Sequence, residues 1–154
     1  MAKLQDIIQW CDQTLKSTEF KDYAPNGLQI EGKTEVRKIL AAVTASQDAI
    51  DAAIRENADL LLVHHGYFWK GEAYPITGMR GKRIKSLIQH DISLLAYHLP
   101  LDSHPSLGNN AAIADLLKLE RIEALDPSER HPIGNIGYLK QPMPVEEFKK
   151  FVSE

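Results

Sequence analysis

Residues 38–66 read KILAAVTASQDAIDAAIRENADLLLVHHG. Two apolar runs, Lys38–Ala45 and Ala58–His65, flank a segment whose apolar residues Ile50, Ala53 and Ile54 share one helical face. Both runs are apolar at consecutive positions, as strands are when a sheet is covered on its two sides. Thr44 or Ser46 can cap the intervening helix, Thr44 having Gln47 three residues on. Strand, helix and strand in this order form a βαβ unit, which places the two strands parallel.

The same alternation continues outward. GKRIKSLIQHD (81–91) predicts a helix with Ile84, Leu87 and Ile88 inward, and DISLLAYHL (91–99) a third apolar strand. NNAAIADLLKL (109–119) reads as a helix with an asparagine N-cap. Upstream, Leu4, Ile7, Ile8, Cys11 and Leu15 recur at helical spacing, so the chain opens with an amphipathic helix ending near Lys16. Pro25 and Asn26-Gly27 mark a turn, for which turn chemistry is sufficient reason, and Leu28–Ile30 reads as a short strand. The fold class is α/β, a mostly parallel sheet of βαβ units covered by helices.

The pattern breaks at DPSERHP (126–132). Residues 1–126 are expected to form one α/β domain, and 127–154 a boundary loop and the beginning of a second. That last segment offers one strand-like piece and a helix with Phe148 and Phe151 or Val152 on one side. A strand and a helix cannot bury a core. The chain is therefore expected to be the front part of a longer protein, or to be completed by a partner chain, with apolar surface that favours self-association.

A hydrophobic content of 44% over 154 residues is enough for one domain with a real core. The net charge of −3 and the scattered Lys and Arg give no electrostatic case for nucleic acid. The richest basic stretch, RGKRIK (80–85), reads as a solvated helix face. A nucleic-acid-processing role would need that stretch as its DNA-facing surface. The single cysteine, Cys11, cannot form an internal disulfide and reads as a small packing residue. No apolar run approaches the ~18 residues that span a bilayer, and the N-terminus lacks a secretory core. A cytoplasmic protein is the expectation.

In a parallel sheet, ligands gather outside the carboxyl ends of the strands. His64 and His65 end the second strand, and YHLPLDSH (97–104) places His98, Asp102 and His104 just past the third. Imidazole nitrogen with carboxylate oxygen is a ligand set for zinc, manganese, iron or nickel. Adjacent strand residues point to opposite faces, so two neighbouring histidines cannot reach one metal from an ideal strand. Either the strand ends at His64 and Gly66 lets the backbone swing, or two metals sit side by side, with Asp102 suited to bridge them. His98 can pack, orient a ligand or bind water. His104, His90 and His131 read as structural or solvent-exposed. Tyr67, Phe68 and Trp69 are placed either to stack a flat substrate or to pack.

The stretches DYAPNGLQIEGK, VTASQDAIDAA, DLLLVHHGYFWKGE and AYHLPLDSHPSLGNN resemble, in this order, the NIF-three-like proteins labelled type 2 homologues of GTP cyclohydrolase I. The resemblance covers residues 20–120 almost continuously. It implies an α/β fold, a toroidal homohexamer, and a pair of divalent transition metal ions (Zn, Mn, Fe or Ni) held in part by His64, His65 and Asp102. It also implies a metal-dependent hydrolase that activates water, on a GTP-like nucleotide, a cyclic amide or another small molecule. His98 is the candidate catalytic residue, orienting the water or relaying its proton. The competing function is a non-catalytic metal-binding scaffold. The family's metal pair is completed by a C-terminal histidine with a glutamate four residues later, and no histidine of this chain has a glutamate at that spacing.

Overall fold

The computed structural model describes residues 1–153. The chain divides into two units, Met1–Pro100 and Leu101–Glu154. The first unit runs β1 (Ala2–Lys3), α1 (Leu4–Leu15), a 3-10 turn at Ser17–Glu19, β2 (Gly27–Ile30), β3 (Glu35–Val36) and β4 (Ile39–Thr44). It continues through α2 (Gln47–Arg55), β5 (Leu60–His65), α3 (Gly78–Gln89) and β6 (Ser93–Ala96). Helix α1 stops where expected, because Lys16 turns left-handed (φ 52°) and its N–H closes on the Asp12 carbonyl. Helix α2 is capped by Ser46, whose hydroxyl accepts from the Ala49 N–H at 3.2 Å. Of the two candidate caps, Ser46 does the work, while Thr44 remains inside β4.

The central sheet has the order β2-β6-β5-β4. Strands β4, β5 and β6 are parallel, and β2 closes the edge beside β6 antiparallel. Register pairs Thr44 with His65 and Val63 with Ala96, so the carboxyl ends of three strands finish close to one line. One core gathers Ile50 and Ala53 of α2, Ile84 and Leu87 of α3, and Leu61, Val63, Leu94 and Ala96 of the two middle strands. On the alternate pleat positions Leu60 and Leu95 are equally buried. That burial of consecutive residues is why the runs LLLV and SLLA show no polar alternation. Cover thins over β4, whose Ile39 and Val43 stay 47% and 69% exposed.

The opposite, amino end of the sheet is tied by Asp59. Its carboxylate accepts from Lys33 Nζ at 2.8 Å, the Arg37 N–H at 2.9 Å and the Lys38 N–H at 3.3 Å. Its own carbonyl accepts from the Ser93 N–H at 3.0 Å. One buried residue thus ties the entries to β4, β5 and β6, by its carboxylate on the β4 side and by its main-chain carbonyl on the β6 side.

Helix α4 (Leu99–Ser103) is followed in the second unit by α5 (Asn109–Leu116), β7 (Leu119–Ala124), β8 (Asn135–Leu139) and α6 (Val145–Ser153). Two details of the sequence reading are corrected here. The N-cap of α5 is Gly108 and no side chain caps it, because Asn109 donates to Asp102 and Asn110 to the Ile133 carbonyl. The helix does not run to Leu119. Lys118 adopts φ 52°, and the chain enters β7, which pairs antiparallel with β8. Leu119 and Ile122 mimic helical spacing because a register shift lies between Glu120 and Glu123. Both side chains fall on the Gly137 side of the hairpin, where a Cβ on Gly137 would meet each at 2.8 Å. Cys11 is buried, and burial pushes its thiol up, which suits packing and not nucleophilic attack.

Asp59→Ala removes the partner of two main-chain donors and should lower stability by about 2–4 kcal/mol, read from urea unfolding at pH 7. The hydrogen bond from Lys33, with the main-chain donors, holds the Asp59 carboxyl below its ordinary range. Its contribution is therefore full above the unfolded value of about 4 and is lost as pH falls through the folded value. The stability gap between wild type and variant should be flat near neutrality and shrink on acidification below about pH 4.

Candidate metal centre

Strand β5 delivers His64 and His65 to the carboxyl end of the sheet, and His98 follows two residues after β6. The three rings meet. Centroids lie 4.4 Å apart for His64 and His65, 5.0 Å for His64 and His98, and 5.7 Å for His65 and His98. One ring nitrogen from each lies within 4.8 Å of the others, forming a possible metal-binding group. The pairing of Thr44 with His65 keeps β5 extended through the second histidine. The rings approach one another although their Cα atoms alternate along the strand.

Each imidazole has its Nδ1 committed to the surrounding structure. His64 Nδ1 lies 3.0 Å from the Tyr97 carbonyl oxygen, and His65 Nδ1 lies 3.1 Å from Thr44 Oγ1. His98 Nδ1 lies 2.7 Å from Asp22 Oδ1. Nε2 is thus the atom each ring can offer to a cation. A second layer of hydrogen bonds that turns imidazoles inward in this way is the usual support of histidine metal ligands. Two metal–nitrogen bonds of about 2.1 Å span at most about 4.2 Å across one ion. Nitrogens spread over up to 4.8 Å fit either one ion after small ring shifts or two adjacent ions.

Asp22 and Asn26 are the residues that sequence reasoning missed. The Asp22 side chain is only 3% exposed. Beside His98, it accepts from Asn26 Nδ2 at 2.9 Å, the Leu99 N–H at 2.9 Å and the Tyr23 N–H at 2.6 Å. Burial raises its carboxyl, but these hydrogen bonds, that of His98 first, outweigh it and hold the group below its ordinary range. Asn26 Oδ1 in turn accepts from the His98 N–H at 2.8 Å. The Asn26-Gly27 pair reads as a turn, but Gly27 (φ 96°) already opens β2, and the Asn26 side chain anchors the third histidine. The available signal was the Asp-x-x-x-Asn spacing at 22–26, beside a turn that needs no buried carboxylate.

The aromatic run after the histidines splits. Tyr67 is buried and donates to the Ala45 carbonyl at 2.7 Å, and burial pushes its hydroxyl up to about 12, so it is core. Phe68 is exposed at φ 66°. Trp69 stands edge-on to His98 with centroids 4.9 Å apart and donates from Nε1 to the Gly66 carbonyl. Gly66 itself leaves no room. A Cβ there would strike Gln29 Oε1 and lie 2.7 Å from the Ala96 Cβ. Gln29 Oε1 accepts from the Tyr67 N–H at 2.7 Å and so bridges β2 to the end of β5.

Asp102 belongs to the second unit, where it accepts from Asn109 Nδ2 at 2.8 Å. His104 Nδ1 accepts from the Ser106 and Leu107 N–H groups at 3.3 and 3.0 Å, a loop-closing role. His90 Nδ1 lies 2.8 Å from the Ser86 carbonyl oxygen at the end of α3. Arg80 of the basic stretch is engaged with Glu72 at 2.7 Å and with the Ala73 and Pro75 carbonyls, bracing the loop after the histidines.

The family model described as Duf34/NIF3 (NGG1p interacting factor 3) matches residues 2–154. The chain belongs to this family. A relative from Haemophilus influenzae, named GTP cyclohydrolase 1 type 2 homolog, is 52% identical over 150 residues, covering 97% of this chain and 59% of the relative. Among solved structures, one described as protein ybgI, of unknown function, superposes with a TM-score of 0.91 at 45% identity, covering 99% of this chain and 60% of its own. Reduced HcgD from Methanocaldococcus jannaschii gives a TM-score of 0.82 at 28% identity, over 99% of this chain and 59% of its own. The chain thus spans about three fifths of the length of these three proteins. Among the described residues no helix is long and apolar enough to cross a membrane.

Gly66→Ala should cost about 1–3 kcal/mol by overpacking. Combining it with Gln29→Ala should recover only part of that loss, because the Ala96 Cβ remains in the way. Urea unfolding of the two single variants and the double variant measures both effects.

Proposed function

We propose that this chain carries part of the site of a metal-dependent hydrolase, and that His64, His65 and Asp102 hold two divalent transition metal ions of the Zn, Mn, Fe or Ni class. The observation that carries the reading is the three-histidine cluster with every Nδ1 engaged, since packing alone does not call for three imidazoles turned toward one point. A divalent metal held there would supply activation of water toward an electrophilic carbon or phosphorus. His98 is the group that would orient that water or move its proton, and Trp69 shields its ring on one side. Asp102 would add negative charge from four residues beyond His98, offsetting cations that neutral imidazoles do not.

The relatives' name supports a nucleotide of the GTP type as a first substrate to try, with other cyclic amides and phosphoesters beside it. Self-assembly into a homohexameric ring and a cytoplasmic location belong to the same reading. The second reading is a metal-holding scaffold without turnover, and the absence among the described residues of a larger histidine and carboxylate group keeps it in view.

The test is a titration of metal-free protein with Zn²⁺ and Mn²⁺, followed by a screen of the loaded protein against GTP, other nucleotides, phosphoesters and cyclic amides. Turnover that disappears in His64→Ala supports the hydrolase. Stoichiometric metal without turnover on any class favours the scaffold, and no bound metal overturns both. Asp102→Ala should lower metal content by mass spectrometry while the metal-free chain keeps its cooperative melt. Unchanged stoichiometry would remove Asp102 from the ligand set.

A further inference from the structure

His98 is held differently from the two histidines of β5. His64 leans on a main-chain carbonyl and His65 on a hydroxyl, whereas His98 meets a buried carboxylate. That carboxylate is fully occupied. Its Oδ1 accepts from His98 and the Tyr23 N–H, and its Oδ2 from Asn26 Nδ2 and the Leu99 N–H. Asn26 cannot flip its amide, because its Oδ1 is needed by the His98 N–H. Four donors around one carboxylate leave it ionised and acceptor-only, so the proton between Asp22 and His98 resides on Nδ1.

We propose that Asp22 is a positioning residue that fixes His98 as the Nδ1–H tautomer and presents its Nε2 lone pair to the His64–His65 pair, with Asn26 clamping the main chain of His98. In a neutral imidazole one nitrogen donates and the other accepts. With Nδ1 spent on Asp22, Nε2 is the accepting nitrogen. The stretch DYAPNG is thereby part of the site and not only the entry to β2. Burial of the Asp22 side chain to 3%, against 17% for His98, keeps water from competing for the same oxygens.

The geometry makes a sharp statement about Asp22→Asn. The amide oxygen is drawn to the side where two obligatory donors wait, the Leu99 N–H and Asn26 Nδ2, against the single obligatory donor on the other side, the Tyr23 N–H of an exposed residue that can turn to water. The new NH₂ then faces His98 Nδ1 and donates to it, which moves the imidazole proton to Nε2. An isosteric change of one atom should therefore invert the tautomer and point an N–H at the cluster.

The inference uses the metal reading for its consequence, but its first test needs no metal. Long-range ¹H–¹⁵N correlation spectra of the metal-free, ¹⁵N-labelled chain near pH 8, above the ordinary histidine range of about 6.5, report which ring nitrogen is protonated. Wild type should show His98 with the proton on Nδ1 alone, and Asp22→Asn should show it on Nε2 with the remaining amide spectrum largely preserved. A wild-type His98 protonated at Nε2, instead of or in addition to Nδ1, overturns the proposal, and that result needs no variant to fold. An unchanged tautomer in a folded Asp22→Asn chain also overturns it. In a separate titration Zn²⁺ affinity should fall about 10–100-fold in Asp22→Asn, because an Nε2–H would then point at a cation held by His64 and His65, and an unchanged affinity would overturn the presentation of the Nε2 lone pair to that pair. A wild-type chain that binds no Zn²⁺ but shows the Nδ1–H tautomer would defeat the hydrolase reading and uphold the positioning role.

Discussion

The placement of β5 between β4 and β6 is the constraint on which the first unit depends. A parallel strand hydrogen-bonded on both sides has no freedom to slide, and its register fixes where its last residues emerge. Because Thr44 lies opposite His65, a hydroxyl from β4 stands beside one imidazole. Because Val63 lies opposite Ala96, the Tyr97 carbonyl arrives beside the other. The apolar burial that holds the sheet together therefore also aims polar groups at its rim. Asp59 performs the complementary task at the opposite end, where it gathers the starts of the same three strands.

The antiparallel edge strand β2 contributes in another way. It brings the Asp22–Asn26 segment to the carboxyl end of β6, and that segment brings a buried carboxylate and an amide. Gln29, further along β2, reaches across to the first N–H after Gly66. Two segments far apart in the chain, one preceding the βαβ run and one inside it, are thus pinned to each other at the cluster. Trp69 closes a third side, and the loop that carries it is held by Arg80.

Much of this was legible in the sequence because burial on two faces leaves a plain mark. LLLV and SLLA could hardly be anything but inner strands, and the strand-end position of His64 and His65 follows from the sheet rule. Asp22 and Asn26 were not legible. Their roles arise from a contact 76 residues away in the chain for Asp22 and 72 for Asn26, and an asparagine between a proline and a glycine is already accounted for by turn chemistry. Strand β7 escaped for a local reason. Its register shift sets Leu119 and Ile122 on one side of the hairpin, so the segment lacks the alternation that marks a strand. The cap of α5 misled because Asn109 and Asn110 have partners elsewhere, which only the folded chain reveals.

The three imidazoles also differ in how heritable their orientation is. The partner of His64 is a main-chain carbonyl, which no substitution at residue 97 can delete while the backbone path holds. The partners of His65 and His98 are the side chains of Thr44 and Asp22, each encoded by one codon and replaceable in one step. The cluster therefore has one invariant member and two that evolution can adjust independently, by a hydroxyl at 44 or a charge at 22. Divergence among proteins built on this frame can retune the electron donation of two rings without touching a histidine.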